Sequence, residues 1–180
     1  MFELPERDPC DICETLAGRS HVPVVAESEL TFTVVNPIQF ETGQCCVVTR
    51  RHVATLLDLT DAESAAVLVA AREVAHALLA AYRPKGILTF QNNGVYSGQL
   101  VPHYHFHVVP RQPGSDWGIG PPQLRQFTDA GRIHGTPHDS SKDDERRDRA
   151  RVDAETLHKT AALIRESLQR TREKGAEVRR

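Results

Sequence analysis

Three histidines alternate with two aromatic residues in His103-Tyr104-His105-Phe106-His107, and the segment runs on into Val108-Val109. This alternation constrains the fold more than any other feature of the chain. In a strand, successive side chains point to opposite faces, so the three imidazoles share one face while Tyr104, Phe106 and Val108 share the other. The first face offers chemistry and the second a core. A neutral imidazole is a good nucleophile near neutral pH, with an unperturbed pKa of about 6.5, and a neighbour that holds Nδ1–H leaves Nε2 free to attack. The segment therefore predicts a nucleophile with electrophilic helpers. The plainer alternatives are a half-buried strand with polar residues outward and a fortuitous metal-binding patch.

The rest of the chain supplies a sheet for that strand to join. Val22–Ala26 and Leu30–Val35 gather β-branched and aromatic residues around the turn material Glu27-Ser28-Glu29, and Cys45–Thr49 follows the turn Thr42-Gly43-Gln44. The third of these strands is short and expected to be central. Thr60-Asp61-Ala62-Glu63 has the form of a capping box, and the alanine- and leucine-rich run behind it predicts one long helix over Asp61–Tyr82, packed closely on a sheet. Ile87–Gln91 and His103–Val109 read as strands four and five, the latter beginning at His103 or lying at an edge because Pro102 has no N–H to donate. Strands, a helix and two further strands predict an α+β fold: an antiparallel five-stranded sheet with a long helix packed on it and a C-terminal helical extension.

Beyond residue 111 the character changes. Residues 112–152 read as a mobile segment, first rich in Pro and Gly and then charged, since the thirteen residues from Asp139 to Arg151 hold ten charges, five of each sign. Trp117 lies there, as a cover for a leaving group, a contact to a partner subunit or a simple anchor. A second helix is expected over 153–174, where Leu157, Ala161, Ile164 and Leu168 make a narrow apolar stripe that must dock on the domain or on a second copy. At 180 residues the chain suits one domain with an appendage. Twenty-two basic against twenty-four acidic residues, net −2, supply no overall positive field for a nucleic acid. No apolar run near the roughly 20 residues of a bilayer span is expected, so no membrane partner is. MFELPERDPC lacks a basic segment followed by an apolar one, which points to a cytoplasmic, reducing setting where the four cysteines are thiols or metal ligands.

The stretch from Ser97-Gly98-Gln99 through His103-Tyr104-His105-Phe106-His107 to Pro110-Arg111 closely resembles the signature of the histidine triad (HIT) nucleotide-binding proteins, and with Cys10-x-x-Cys13 and His52 it looks similar to the zinc-bearing bacterial type. The resemblance covers about residues 10 to 111 and makes 1–111 a nucleotide-binding domain. It implies an enzyme that hydrolyses or transfers nucleotides, with His105 attacking the α-phosphate of a purine nucleotide conjugate to form a nucleotidyl-imidazole. Gln99 would donate to an α-phosphate oxygen and His107 to a phosphate or leaving-group oxygen. Asn36 would contact the ribose, Asn92 the phosphate region or its loop, and Ile12, Phe32 and Val34 are candidates to sandwich the base. Without the family, Asn36-Pro37 and Asn92-Asn93-Gly94 read as ordinary turn chemistry. Some members carry Pro-Gly-His where this chain has Thr42-Gly43-Gln44, so an amide replaces a groove histidine. A homodimer is expected, as is usual in the family. The alternatives are a dinucleoside polyphosphate phosphorylase and a nucleotide-binding interaction module with little catalysis.

Cys10-x-x-Cys13 by itself is compatible with redox chemistry, half a zinc site or nothing. A structural zinc site needs two more nitrogen or sulfur ligands, for which His52 and His103 are the candidates. The resemblance implies the same set. Cys45 and Cys46, adjacent in an apolar strand, read as small core residues.

Overall fold

The computed structural model describes residues 2–115 and 151–177. Trp117, His134, His138 and the charged residues before Arg151 lie outside them. Strands β1 (Val24–Glu27), β2 (Thr31–Val35), β3 (Cys45–Thr49), β4 (Gly86–Phe90) and β5 (His105–Arg111) form one antiparallel sheet in the order β1-β2-β3-β5-β4. Helix α1 (Asp11–Leu16) precedes the sheet, α2 (Asp61–Tyr82) joins β3 to β4, and α3 (Ala154–Glu177) closes the chain. The α+β architecture expected from the order of elements is present, with β3 at its centre.

Helix α2 starts where its capping box dictates. The Thr60 hydroxyl accepts from Glu63 N–H at 3.2 Å, and the Glu63 carboxylate accepts from Thr60 N–H at 2.9 Å. It stops at Arg83, whose left-handed φ of 48° turns its N–H back onto the Leu79 carbonyl, and Pro84 follows. Val67, Ala71, Val74 and Leu78, at helical spacing, are buried in one core with Val35, Cys45, Val47, Tyr104 and Val108. Leu157, Ala161, Ile164 and Leu168 of α3 share that core, so the C-terminal stripe docks on α2, β1 and β2 of its own domain. Arg172 pairs with Glu73 at 2.6 Å, and the Arg165 guanidinium donates to the Val24 carbonyl at 2.6 Å.

Cys10 caps a short α-helix that carries Cys13. Two expectations are corrected. The fifth strand begins at His105, because Pro102 bends the chain and Tyr104 N–H is drawn to the Val53 carbonyl at 2.6 Å, outside the ladder. And α2 does reach bilayer-spanning length and apolarity, with a mean hydropathy of 1.5. It packs along the sheet, carrying Arg72 and Glu73 midway.

The register fixes what the second sheet face carries. Phe32, Val48 and His105 lie across from one another on β2, β3 and β5, and the next such row is Val34, Cys46, His107 and Phe90. Paired residues in an antiparallel sheet share a face, so both imidazoles stand beside an apolar patch on the side away from α2.

Candidate active site

His105 sits at the first position of β5, and its ring Nδ1 lies 2.8 Å from the His103 carbonyl oxygen. A carbonyl only accepts, so Nδ1 holds the proton and Nε2 carries the lone pair. Burial lowers the His105 pKa, partly offset by that hydrogen bond, and this favours the neutral ring. His107 is the deeper imidazole, 8% exposed, with Nδ1 3.1 Å from Gln44 Nε2 and 3.2 Å from Cys46 Sγ. Its ring stacks on Phe90, with centroids 4.4 Å apart and planes 17° apart, and meets His105 edge-on at 4.9 Å. Burial first, and then the neighbouring His105, push its pKa well below the usual value.

An apolar cluster flanks this pair. Phe32, Val34, Cys46 and Val48 are buried together, and Ile12, Leu16, Val22 and Val24 pack against them. The three residues suggested for a base, Ile12, Phe32 and Val34, thus fall in one cluster.

The loop amides behave differently from expectation. Gln99 is 2% exposed: its Oε1 accepts from Gly94 N–H at 2.6 Å, while Nε2 donates to the Ala54 and Val101 carbonyls at 2.7 and 3.0 Å. Both Nε2 protons are committed, so Gln99 holds the loop in shape and is no phosphate donor here. Asn92 Nδ2 donates to the Gly98 carbonyl at 3.3 Å and Asn36 Oδ1 accepts from Ile38 N–H at 3.3 Å, which is the turn chemistry their neighbours suggest. Asn36 also bonds through its backbone to the Gln44 carbonyl at the mouth of β3.

His103, freed from the strand by Pro102, turns to the cysteine pair. Its Nδ1 lies 3.7 Å from Cys10 Sγ and 3.5 Å from Cys13 Sγ, and His52 Nδ1 lies 3.2 Å from Cys13 Sγ. All four ligand atoms fall within 4.8 Å of one another. A tetrahedral ion with bonds of about 2.0–2.3 Å spaces sulfur and nitrogen ligands by roughly 3.5 Å, so the donors fit such a centre with every position filled by protein. His103 Nε2 donates to the Thr49 carbonyl at 2.8 Å, which leaves Nδ1 as the ligand nitrogen. Burial lowers the His103 pKa to about 4, and burial with the adjacent Cys10 pushes the Cys13 thiol up to about 11. A bound cation reverses the latter trend and draws out the thiolates. Arg51, next to His52, is clamped by Glu63 of α2 at 2.6 and 2.9 Å, tying the ligand loop to the long helix.

Of the nine catalytic, nucleotide-contact and metal-ligand candidates read from the sequence, six gather at two adjoining centres. Cys10, Cys13, His52 and His103 form one, His105 and His107 the other, and Gln99 braces the loop that leads into both. Sequence reasoning missed Cys46 and Phe90 as neighbours of His107, and saw Gln44 only as a departure. Strand register brings them there, and register is not written in any single segment.

An antiparallel sheet that carries two neutral imidazoles beside an apolar cluster, next to a group of two cysteines and two histidines, defines an α+β domain with a histidine-centred site. The HIT domain family matches residues 19–114, and the chain belongs to that family. It is similar to Protein hit of Bacillus subtilis, 31% identical over 62% of this chain and 76% of that one. It is also similar to the adenosine 5'-monophosphoramidase of Schizosaccharomyces pombe, 28% identical over 62% of this chain and 80% of that one. An AP-4-A phosphorylase of Mycobacterium tuberculosis is 37% identical over 51% of this chain, which spans 47% of that protein. Among solved structures, a zinc-bound histidine triad family protein from Mycobacterium smegmatis shares the fold with a TM-score of 0.69, at 19% identity over 92% of this chain and 97% of that one.

Proposed function

We propose that the protein is a nucleotide hydrolase or nucleotidyl transferase acting at the α-phosphate of adenylated conjugates, dinucleoside polyphosphates or nucleoside phosphoramidates, through a nucleotidyl-His105 intermediate. One observation carries this reading: the His103 carbonyl holds the His105 proton on Nδ1, leaving Nε2 as an unprotonated nucleophile. In the first step the Nε2 lone pair forms an N–P bond, and the bond from phosphorus to the leaving group breaks. The leaving group departs with the electron pair and takes a proton. In the second step water adds to phosphorus as the N–P bond breaks, returning free His105 and a nucleoside monophosphate. His107 stands 4.9 Å from the nucleophile, ring to ring, in position to donate to a phosphate oxygen. Asn36 at the strand mouth suits a ribose hydroxyl, Asn92 the loop beside the phosphates, and the apolar cluster of Ile12, Phe32 and Val34 the neighbourhood of a purine.

Cys10, Cys13, His52 and His103 would hold a structural zinc ion, which would tie α1 and the residue two positions before the nucleophile to the loop that follows β3. The two-cysteine, two-histidine donor set supports zinc, as does the zinc-bound relative. A homodimer in the cytoplasm completes the reading.

A phosphorylase, in which inorganic phosphate replaces water in the second step, is favoured by the similarity to the AP-4-A phosphorylase. Incubation with adenosine phosphoramidate and diadenosine polyphosphates, with and without phosphate, separates the two. AMP release independent of phosphate supports the hydrolase, and phosphate-dependent release of ADP the phosphorylase. No turnover of any conjugate would leave a binding module. AMP release that survives His105→Ala overturns the nucleophile.

A further inference from the structure

Gln44 lies in the turn before β3, fully buried, and its side chain is engaged at both ends. Oε1 accepts from Phe40 N–H at 2.8 Å. A backbone N–H can only donate, so that contact fixes which end of the amide is oxygen, and the NH₂ group must face His107 Nδ1 at 3.1 Å. An amide NH₂ can only donate in turn. Nδ1 is therefore the acceptor nitrogen of His107, and the ring proton resides on Nε2. Cys46 adds a second donor at 3.2 Å, because burial raises its pKa far above the usual thiol range and keeps the S–H intact. Phe90 fixes the ring plane, and Nε2 is the ring nitrogen left without a protein partner among the described residues.

The turn itself is shaped to deliver this side chain. Gly43 has φ 96°, and a Cβ there would approach the Tyr82 ring to 2.6 Å, so only glycine lets the chain pass the end of α2 into β3 at that point. Gly43 N–H is further held by Gln39 Oε1 at 2.9 Å.

We propose that Gln44 is a positioning residue that sets the tautomer of His107 opposite to that of His105, so that two adjacent imidazoles present a lone pair and a proton to one phosphate. The backbone carbonyl of His103 makes His105 the acceptor, and the Gln44 amide makes His107 the donor. The role in phosphate chemistry rests on the function proposed above, whereas the tautomer does not. Gln44 does not ionise, so it can neither take a proton from His107 nor pass one on. His107 therefore acts through the Nε2 side alone.

Nitrogen-15 spectra of the zinc-loaded, full-length protein labelled at histidine test the assignment, with His105→Ala and His107→Ala to identify the signals. Wild type should show His107 as the Nε2–H tautomer and His105 as the Nδ1–H tautomer. Gln44→Glu is nearly isosteric and still accepts from Phe40 N–H, but offers His107 an acceptor, so His107 should gain a proton on Nδ1. Gln44→Met removes the amide donor without adding an acceptor and leaves Nδ1 with the weaker thiol donor of Cys46, so the Nδ1–H tautomer of His107 should gain population. With adenosine phosphoramidate both variants should lose about 10- to 100-fold in kcat with KM within about threefold, the scale of one misaligned donor. A wild-type His107 protonated on Nδ1, or a His107 tautomer unchanged in both variants, overturns the proposal. If wild type turns over no conjugate, the functional reading fails while the spectra still decide the tautomer.

Discussion

Removing the metal from the Cys10, Cys13, His52 and His103 centre should damage substrate affinity before it damages the chemical step. Helix α1 has six residues and buries none of them fully, and a helix this short does not persist alone in water. It is held by the packing of Ile12 and Leu16 against Phe32, Val34, Cys46 and Val48 and, on the zinc reading proposed above, would be held by Cys10 and Cys13 as ligands. Without the ion, that edge of the apolar cluster should fray. His105 and His107 are anchored elsewhere, by pairing with Val48 and Cys46, and His103 keeps its bond to the Thr49 carbonyl at 2.8 Å. Losing the contacts of two half-buried aliphatic side chains with a base is worth about 1.5 kcal/mol, or roughly a tenfold rise in KM. A metal present at about 1,000 times its dissociation constant adds about 4 kcal/mol to stability, which for a chain of this size is a Tm difference of roughly 8–16 °C. The assay is chelator dialysis followed by steady-state kinetics, thermal unfolding and hydrogen exchange over Asp11–Leu16. A collapse in kcat with unchanged KM, or unchanged protection of Asp11–Leu16, would refute the reasoning.

Further expectations concern the core and the clamp. Ile164 is fully buried between α3 and the sheet, so Ile164→Ala should cost about 2–5 kcal/mol in urea unfolding, and a cost near zero would mean that α3 does not belong to the core. The Arg51 guanidinium and the Thr60 N–H hold the Glu63 carboxyl down to about 2, below its ordinary 4.5. Because the folded pKa is the lower one, this stabilisation is present above about pH 4.5 and is lost as pH falls toward 2. Glu63→Gln should therefore be less stable than wild type at pH 6, and the gap should narrow at pH 3; a gap independent of pH would contradict the clamp. Gln99→Leu leaves Gly94 N–H and the Ala54 and Val101 carbonyls without their partner, so loop protection and activity should fall together. Activity lost with full loop protection would instead restore Gln99 as a phosphate donor.

What the sequence made legible was periodic or local. Period-two alternation marked the strands and put His105 and His107 on one face, the capping box marked the start of α2, and the 4-3-4 spacing marked the buried stripe of α3. The cysteine spacing, completed by two histidines, marked a group of four side chains that the fold brings within 4.8 Å of one another. His103 was harder, since the alternation that places three histidines on one face continues only if the strand does. The chain bends at Pro102 and sends that ring to a separate centre. Gln99 was ambiguous for another reason: an amide before such a strand can bind substrate or brace its own loop, and the sequence does not show that its side chain bonds to Gly94, Ala54 and Val101. Gln44, Cys46 and Phe90 meet His107 across three strands and a turn, through a register that no local pattern encodes.

The central claim is covalent chemistry at His105. Rapid mixing of the zinc-loaded protein with adenosine phosphoramidate, an alkaline quench that preserves an N–P bond, and peptide mass mapping should place an adenylyl group on the peptide of β5 at His105, absent from His105→Ala. Full turnover with no adduct formed, or an adduct on another residue, would contradict the account.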